Sequence, residues 1–360
     1  MESTDNRENT EVPMADGADR DLIVRLAFGG MAAQTLRAAA RLRVVELIGC
    51  RQCRASDVAA EAGAEPQPMH RLLRALAGLG LLRDHAHETF SVTPAGAFLD
   101  PVHPASLTSF VRMFTDPAMI RAWEHLDSSV RTGRTAFDTV FGTDFFSHVA
   151  RHPELSADFN EAMSQASRDT AATLPHAYDF GRFGAVTDVG GGDGTLLAAV
   201  LAAHPGLTGT VFDTAEGLAE APGTLGRHGL AGRFTTIYGD FFRSVPAGSD
   251  LYLMKSVLHD WPDDQVVTIL SHCRAVLPPG GVVLIVEPVL PEAIGTETDA
   301  DVADGGGTYL TDLNMLVNVG GRERTRTEFE ELCRRAGLAV ASVAPLTDAA
   351  PFSLIEAVAG

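Results

Sequence analysis

The sequence predicts an α/β protein whose C-terminal half forms a doubly wound sheet and whose N-terminal part is a mainly α, winged-helix-like domain. Two observations support this prediction. From residue 178 onward, short apolar runs typical of strands alternate with segments of helical periodicity, the pattern of a doubly wound sheet. Before residue 105, a helix, a short helix, a longer helix and a hairpin follow one another in the order of a winged helix.

The N-terminal elements follow from apolar spacing and from capping residues. Three helices and a hairpin are predicted, over residues 21–45, 56–63, 66–82 and 82–92. We expect Ser56 to cap the second helix and Gly63 to end it. The first 19 residues are polar and acidic, which indicates a disordered tail before a winged-helix-like domain over residues 20–104.

The rest of the chain is predicted to contain a helical region and then the sheet. Residues 105–177 show helical periodicity with many apolar and aromatic positions, which indicates a connector that covers a pocket. Residues 178–360 hold the alternating elements. Strands are predicted at residues 185–189, 209–213, 234–238, 250–254 and 282–287, and helices at 195–203, 263–277 and 327–336.

The charge of the chain argues against two classes of partner. With 47 acidic and 28 basic residues, the formal net charge is -19. Such a chain repels phosphate backbones and anionic membranes, so neither nucleic acid nor a membrane is the expected partner. The winged-helix order leaves DNA binding as an alternative, with Arg71 and Arg74 as phosphate contacts. The acidic balance favours a dimerisation platform instead.

Cysteine usage and hydropathy predict the compartment. Four cysteines in 360 residues are too few for a disulfide scaffold and fit a reducing cytoplasm. Cys50 and Cys53 form a C-x-x-C, but no further ligands follow at zinc-site spacing, so no metal site is predicted. No apolar run reaches the ~18–20 residues of a membrane span, and the N-terminus has no signal-peptide core. We therefore expect a cytoplasmic protein.

A glycine-rich turn between a predicted strand and helix is the most informative stretch of the sequence. Residues 188–194 are Asp-Val-Gly-Gly-Gly-Asp-Gly, and such a turn lets a ligand approach the backbone and the next helix N-terminus. Taken alone, it fits NAD, FAD or S-adenosylmethionine. Starting from Gly190 or Gly192, the dinucleotide pattern G-x-G-x-x-G fails, which favours S-adenosylmethionine.

Acidic residues after the next two strands support the same cofactor. Asp213 ends the strand after the glycine turn, where one carboxylate accepts two hydrogen bonds from a ribose diol. Asp240 and Phe241 follow the third strand, and an aspartate beside an aromatic ring suits the amine and the face of an adenine. For Asp240 considered alone, a turn residue is the alternative.

One of the 12 histidines is a candidate general base. His259 follows a predicted strand by a few residues, near the carboxyl ends of strands, where open α/β sheets bind ligands. A phenol with a pKa near ~10 is protonated at neutral pH, so a base with a pKa near ~6.5 assists its reaction. Glu287 and Glu323 are candidates to orient the imidazole, and a surface carboxylate is the alternative for each.

Six motifs resemble those of one known family and follow in its order. They are DVGGGDG (188–194), FD (212–213), GDFF (239–242), LHDWPDD (258–264), EPVLP (287–291) and GGRERT (320–325). Through them, residues from about 20 to 356 are similar to plant caffeate-type O-methyltransferases and their bacterial relatives in antibiotic tailoring. The resemblance implies a Rossmann-like class I methyltransferase domain over residues 178–360, an N-terminal dimerisation domain and a homodimer.

The resemblance also implies roles for individual residues. The positions that match contacts with S-adenosylmethionine are Gly190, Asp213, Asp240, Phe241, Lys255 and Ser167. His259 matches the general base, and Glu287 and Glu323 match its supporting carboxylates. Substrate contacts are implied for Met163, Asn314 and Asn318. The two asparagines are four residues apart in an apolar helical segment, so they share one face.

The implied reaction is O-methylation of a small aromatic or polyketide-type molecule. Some relatives in anthracycline tailoring lack the histidine and the glutamate, and one type hydroxylates. This chain keeps His259, Glu287 and Glu323, which favours acid–base O-methylation. The alternatives are a hydroxylase, a cyclase or an N- or C-methyltransferase with the same cofactor pocket, and a winged-helix regulator.

One segment departs from the family pattern. Residues 292–307 are acidic and rich in glycine. Their composition indicates a mobile loop beside the substrate region, of the kind that forms a lid.

Overall fold

The computed structural model describes residues 17–293, 307–349 and 351–360, and divides the chain into two compact units, residues 1–100 and 101–360. The tail predicted for residues 1–19 lies outside the described residues up to residue 16, and residues 17–19 are already helical. The predicted lid loop also lies outside them, except for its first two residues and its last. Within these ranges, no helix has the length and hydropathy needed to cross a membrane.

The N-terminal unit has the predicted element order. Its helices are α1 (Gly17–Ala27), α2 (Gly29–Arg41), α3 (Val44–Ile48), α4 (Ala55–Ala62) and α5 (Pro66–Gly78), and a 3-10 helix spans Gly96–Leu99. Strands β1 (Cys53–Arg54), β2 (Leu82–His85) and β3 (Thr89–Val92) form an antiparallel sheet in the order β1-β3-β2. Fully buried Leu73 and Phe90 lie in one apolar core beneath these elements.

Two details of the N-terminal prediction are wrong. The single helix predicted for residues 21–45 is divided into α1, α2 and α3, and Arg43 adopts a left-handed backbone with φ 56° that ends helical geometry. Ser56 does not cap α4, because the helix begins one residue earlier, after an extended Arg54. Ser56 instead donates to Asp57. Gly63, with φ 63°, ends α4 as predicted.

The second unit begins with a set of helices that packs on the sheet. They are α6 (Thr108–Phe114), α7 (Pro117–Trp123), α8 (Leu126–Thr132), α9 (Ala136–Phe141), α10 (Phe145–Ala150) and α11 (Pro153–Ala177). The long α11 packs against α6 and against α12 (Thr195–Ala203). The region predicted as a connector therefore belongs to the same compact unit as the sheet. That unit begins at Pro101.

The sheet is mixed, with a parallel centre. Its strands are β4 (Ala185–Val189), β5 (Thr208–Asp213), β6 (Phe234–Tyr238), β7 (Leu251–Lys255), β8 (Val282–Leu290), β9 (Arg324–Thr325), β10 (Leu338–Pro345) and β11 (Phe352–Ala359). The order is β10-β11-β8-β7-β4-β5-β6, and the short β9 pairs with β8. Strands β4 to β8 run parallel, whereas β11 and β10 pair antiparallel.

Helices cover both faces of this sheet. Besides α12, they are α13 (Ala221–Arg227), α14 (Asp263–Val276) and, after α15 (Gly307–Asn314), α16 (Arg326–Arg335). The helix α15 is followed by a π-helical turn over Met315–Val319, which packs mainly against α7 to α10 rather than against the sheet. Successive residues of β7 enter different cores, since Leu253 packs in one apolar cluster and Met254 in the other. Burial on both faces explains why the central strands are nearly continuous apolar runs. The doubly wound α/β prediction is confirmed; β10 and β11 were not predicted.

Candidate active site

The glycine turn 188–194 connects β4 to α12. Gly190, Gly192 and Gly194 have φ values of 74°, 55° and 73°, a left-handed backbone that side chains rarely adopt. A Cβ on Gly190 would lie 2.7 Å from Val257 Cγ2. Glycine is therefore required at residue 190 both by its backbone and by the close approach of the segment after β7.

Asp213, at the end of β5, lies directly against the glycine turn. Its Oδ2 accepts from Gly192 N at 2.9 Å and its Oδ1 from Thr214 N at 2.6 Å. Burial raises the pKa of this carboxyl, and the two backbone donors act in the opposite direction. Each carboxylate oxygen has a second lone pair, so Asp213 can still accept from a diol.

The segment after β6 carries Asp240 and Phe241. Asp240 is exposed, and its Oδ1 accepts from Phe242 N at 2.8 Å. The Phe241 ring meets the Trp261 ring edge-on at 5.9 Å. The backbone carbonyl of Phe241 is hydrogen-bonded to His272 Nδ1 at 2.9 Å, which fixes this segment to α14.

Lys255, at the end of β7, and Asp188, near the end of β4, are close enough to affect each other's charge. Lys255 Nζ donates to Ser167 Oγ at 3.1 Å, so the structure brings together two predicted cofactor contacts. Burial lowers the pKa of Lys255 to about 8, against the charges of Glu287, Asp188 and Asp260. Asp188 is buried, and burial, together with the charges of Asp213 and Asp193, raises its pKa to about 7.

His259 lies in a tight turn just beyond the carboxyl end of β7. Its Nδ1 is hydrogen-bonded to Glu323 Oε1 at 2.9 Å and lies 3.6 Å from Glu287 Oε2. Its Nε2 lies 3.6 Å from Asp260 Oδ1. The three residues predicted to form one catalytic group are therefore in contact.

Backbone donors and a close loop contact hold the two glutamates in place. Glu287 Oε1 accepts from Val257 N at 2.9 Å and from Leu258 N at 2.8 Å, which ties β8 to the turn that carries His259. On the other side, Arg322 N donates to the His259 carbonyl at 2.8 Å. A Cβ on Gly321 would lie 1.9 Å from that carbonyl oxygen, so the GGRERT loop approaches the turn as closely as only glycine allows.

The charges around His259 strongly favour its protonated form. Burial opposes the charged ring, but the negative charges of Glu287, Asp260 and Glu323 prevail and raise its pKa to about 10. Burial raises the pKa of Asp260 to about 7 and also raises the pKa of Glu287. The site thus collects more negative charge than its own cations balance.

Three carboxylate oxygens of this site accept no hydrogen bond from the described residues. Asp188 Oδ2, Glu287 Oε2 and Glu323 Oε2 are buried and have no hydrogen-bond partner within the described part of the chain. A buried, unpaired carboxylate oxygen is costly, so such atoms indicate a missing donor or cation. The ligand atoms of His259, Glu287 and Glu323 lie within 4.8 Å of one another, so a metal ion is the alternative to a hydrogen-bonded triad.

The predicted substrate residues lie in the helical layer, which consists of α6 to α11, α15 and the π-helical turn. Asn314 Oδ1 accepts from Trp123 Nε1 at 3.2 Å and from Asn318 Nδ2 at 2.8 Å. Sequence reasoning placed the two asparagines on one face, but it did not predict that they bond to each other. Met163 packs in the same apolar cluster as Trp123, and its carbonyl accepts from Ser167 Oγ.

Several residues of the site were missed from the sequence. Asp260, beside His259 Nε2, and Asp188 both stood inside quoted motifs, and an acidic residue next to the proposed base was the available signal for Asp260. Arg324 is fully buried and contacts the turn of His259. A charged residue gives no sequence signal of burial, because arginine is mostly exposed.

Comparisons with known proteins agree with this geometry. A model of an O-methyltransferase domain matches residues 123–339, and a model of an O-methyltransferase dimerisation domain matches residues 24–99. An O-demethylpuromycin-O-methyltransferase from Streptomyces alboniger is 43% identical over 94% of this chain and 89% of its own length. A phenazine O-methyltransferase from Lysobacter antibioticus is 35% identical over 98% and 99%, respectively. The solved structure of a mitomycin 7-O-methyltransferase has a TM-score of 0.87 at 36% identity, with 95% of this chain and 98% of that chain covered.

The fold and the glycine turn define a class I methyltransferase. The chain belongs to the O-methyltransferase family and is an S-adenosylmethionine-dependent enzyme. The residues present fit that cofactor. Gly190 leaves room for a ligand at the backbone, Asp213 retains acceptor capacity for a diol, and the unpaired oxygens of Asp188 and Glu287 suit a cation.

The close contact between Gly321 and the His259 carbonyl predicts that a side chain at residue 321 lowers the activity. In Gly321→Ala, the new Cβ would overlap the His259 carbonyl, so the loop or the turn has to move. We expect methyl transfer to a hydroxyl acceptor to fall ~100-fold, because displacements of about 1 Å have that effect on catalytic groups. Steady-state turnover, with thermal unfolding in parallel, measures this.

Gly226→Ala is the matched control, because a Cβ there meets no atom within 4 Å and the residue lies in α13. We expect this variant to keep its turnover. Turnover in Gly321→Ala equal to that of the control would show that the close approach does not matter for the site.

Proposed function

We propose that this enzyme methylates a hydroxyl of a small aromatic or polyketide-type metabolite, with His259 as the general base and Glu287 and Glu323 orienting it. The observation that carries the proposal is the short contact between His259 Nδ1 and Glu323 Oε1, at 2.9 Å. An imidazole whose Nδ1–H is held by a carboxylate presents Nε2 as the free basic atom. The same arrangement supports an imidazolium once a proton has been accepted.

Proton transfer is the step that the residues of this chain perform. His259 Nε2 accepts the proton of the acceptor hydroxyl as its oxygen becomes the nucleophile, and Glu323 and Glu287 stabilise the resulting positive ring. When bound, S-adenosylmethionine supplies the methyl group, and the bond from methyl carbon to sulfur breaks as the bond to oxygen forms. The enzyme's further contribution is alignment, which supplies roughly 7–11 kcal/mol in well-oriented reactions.

The raised pKa of His259 is compatible with a base when the charge of the whole site is considered. At about 10, this pKa keeps the ring protonated at neutral pH while the surrounding carboxylates are unbalanced. A cation bound among Asp188, Glu287 and Asp260 stabilises those carboxylates and disfavours a second positive charge on the ring. We therefore expect the pKa of His259 to fall towards neutrality in the cofactor-loaded enzyme.

The substrate class is proposed from the lining and from the relatives. Trp123, Phe159 and Met163 lie in one apolar cluster of the helical layer, which suits a flat ring system. The relatives reported above are named for phenazine, mitomycin and O-demethylpuromycin. Met163, Asn314 and Asn318 remain the proposed substrate contacts, and Ser167, Lys255, Gly190, Asp213, Asp240 and Phe241 the proposed cofactor contacts.

We also propose that the protein is a homodimer in the cytoplasm. The dimerisation model matches residues 24–99. Leu26, Phe28 and Met31 in this region and Ile23 just before it are exposed, and α1 has no buried residue. Apolar residues exposed together in this way are typical of an interface. The four cysteines are free thiols, which fits a reducing compartment.

Two candidate functions compete with this proposal. A hydroxylase, cyclase or N- or C-methyltransferase would keep the cofactor site and differ in the use of His259. A metal-assisted reaction would use His259, Glu287 and Glu323 as ligands, which their mutual distances allow. The hydrogen-bond length between His259 and Glu323 favours the base, because it leaves Nδ1 committed to the carboxylate.

His259→Ala tests the base directly. We expect the rate of label transfer from methyl-labelled S-adenosylmethionine to a panel of catechols, hydroxybenzoates and hydroxyquinones to fall by roughly 10²–10⁴-fold. Binding of S-adenosylmethionine, measured by calorimetry, should persist. Mass spectrometry of the product locates the label on oxygen.

The exposed His176 in α11 provides the matched control, and His176→Ala should transfer at the wild-type rate. Undiminished transfer in His259→Ala would show that proximity alone drives the reaction. Dialysis against a chelator should leave the wild-type rate unchanged. A rate that is lost on dialysis and restored by a divalent ion would establish the metal alternative instead.

The pH dependence tests the supporting carboxylate. Glu323→Gln removes a negative charge that stabilises the imidazolium, so the pKa of His259 should fall. The acidic limb of kcat/KM for the acceptor, at saturating S-adenosylmethionine, should therefore move to lower pH, and the maximal rate should fall because a weaker base accepts the proton. Asp264→Asn is the control, since Asp264, in the motif that carries His259, is 94% exposed. A limb that stays in place or moves to higher pH would refute the assignment.

Replacement of the exposed apolar residues tests the dimer. The double variant Ile23→Asp/Leu26→Asp should halve the molecular mass measured by light scattering, because charges on this surface oppose its burial. Val130→Asp changes an equally exposed apolar residue of the other unit and should leave the mass unchanged. A double variant with an unaltered mass would place the interface elsewhere.

A further inference from the structure

A fully buried arginine lies directly behind the turn that carries His259. Arg324 belongs to β9, which pairs in parallel with the end of β8 at Val289. It follows Glu323 in the chain, so one short segment supplies both the carboxylate that contacts His259 and the guanidinium behind it. A buried charge of this kind is costly unless every donor is satisfied.

All five N–H donors of Arg324 are satisfied, and two of them bond to the turn itself. Nη1 donates to the Leu258 carbonyl at 2.9 Å, and Nη2 donates to the Trp261 carbonyl at 2.7 Å. Nε and Nη2 both donate to Asp263 Oδ1, at 3.1 and 2.9 Å. The remaining donor bonds to the Arg322 carbonyl at 3.2 Å. The guanidinium therefore binds the residue before His259, the residue two after it, and the first residue of α14.

These bonds oppose those made by Glu287 on the other side of the turn. Glu287 accepts from the backbone N–H groups of Val257 and Leu258, whereas Arg324 donates to the carbonyls of Leu258 and Trp261. The turn is thus fixed by a carboxylate at its donors and by a guanidinium at its acceptors. Neither contact involves the imidazole, yet together they set where the ring lies relative to Glu323.

We propose that Arg324 is a positioning residue for His259. By fixing the position of His259, Arg324 affects the rate of proton transfer, and it does not contribute to cofactor binding. The proposal rests on the proposed base. A planar fork with five donors meets this set of acceptors, whereas the ammonium of lysine offers three donors from a single point. In Arg324→Lys the charge persists, but the carbonyls of Leu258 and Trp261 cannot both be bound in the present geometry.

The experiment compares Arg324→Lys with Arg326→Ala. Arg326 lies two residues further along the chain, its side chain bonds only to Glu330 among the described residues, and it is 59% exposed. We expect Arg324→Lys to lower kcat about 10- to 100-fold, as changes behind a catalytic residue commonly do. The affinity for S-adenosylmethionine, measured by calorimetry, should be unchanged. Arg326→Ala should keep both kcat and affinity.

Two further readouts separate positioning from general structural support. In enzyme with ¹⁵N-labelled histidine, the imidazole N–H resonance that is absent from His259→Ala reports the bond to Glu323, and it should shift or be lost in Arg324→Lys. In the double variant His259→Ala/Arg324→Lys, kcat should be no lower than in His259→Ala alone, because residues that act through one another are not additive. Additive losses would overturn the proposal.

Asp263→Asn supplies a second variant in case Arg324→Lys does not fold. Asp263 is 37% exposed, and its replacement by asparagine weakens the hold on Arg324 without altering the buried side chain. It should lower kcat less than Arg324→Lys and show the same non-additivity with His259→Ala. Wild-type kcat in the folded variants would refute the positioning role. A wild-type rate in His259→Ala would refute the base instead, and the N–H resonance would still report on Arg324.

Discussion

The chemistry of this site depends on burying several carboxylates around one imidazole at the carboxyl ends of β7 and β8. Each buried carboxylate loses hydration, which the backbone donors of Val257 and Leu258 replace for one oxygen of Glu287. The second oxygens of Glu287 and Glu323 have no such donor among the described residues. Their unpaired charge keeps His259 protonated in the free enzyme, and it also makes the site attractive to a cation such as a sulfonium.

Gly190 and Gly321 both pack closely against the segment that carries His259. The segment 256–261 lies between them, since a Cβ on Gly190 would meet Val257 and a Cβ on Gly321 would meet the His259 carbonyl. Ser256, at the start of this segment, has a left-handed backbone with φ 54°, a conformation that the surrounding contacts must maintain. A displacement of this segment would therefore move His259 relative to the glycine turn.

Sequence reasoning identified the parallel centre of the sheet because short, strand-like segments alternate with helical ones there, and because β7 and β8 begin as continuous buried apolar runs. It missed β10 and β11 because Leu338–Pro345 and Phe352–Ala359 are partly exposed and contain small residues, so their periodicity is weak. It grouped His259, Glu287 and Glu323 through motifs, and the resemblance to a family carried their roles. It missed Arg324, since full burial of an arginine depends on carbonyls up to 66 residues away in the chain.

Different strands carry the proposed cofactor contacts and the carboxylates around His259, which explains how one fold can support different reactions. Gly190, Asp213 and Lys255 lie at the ends of β4, β5 and β7, whereas Glu287 and Glu323 lie on β8 and beside β9. Loss of His259 would therefore leave the proposed cofactor contacts intact. The two groups remain coupled by charge, because Glu287 and Asp260 act on the pKa of both Lys255 and His259. A substitution of Glu287 would therefore change the charge around both His259 and Lys255.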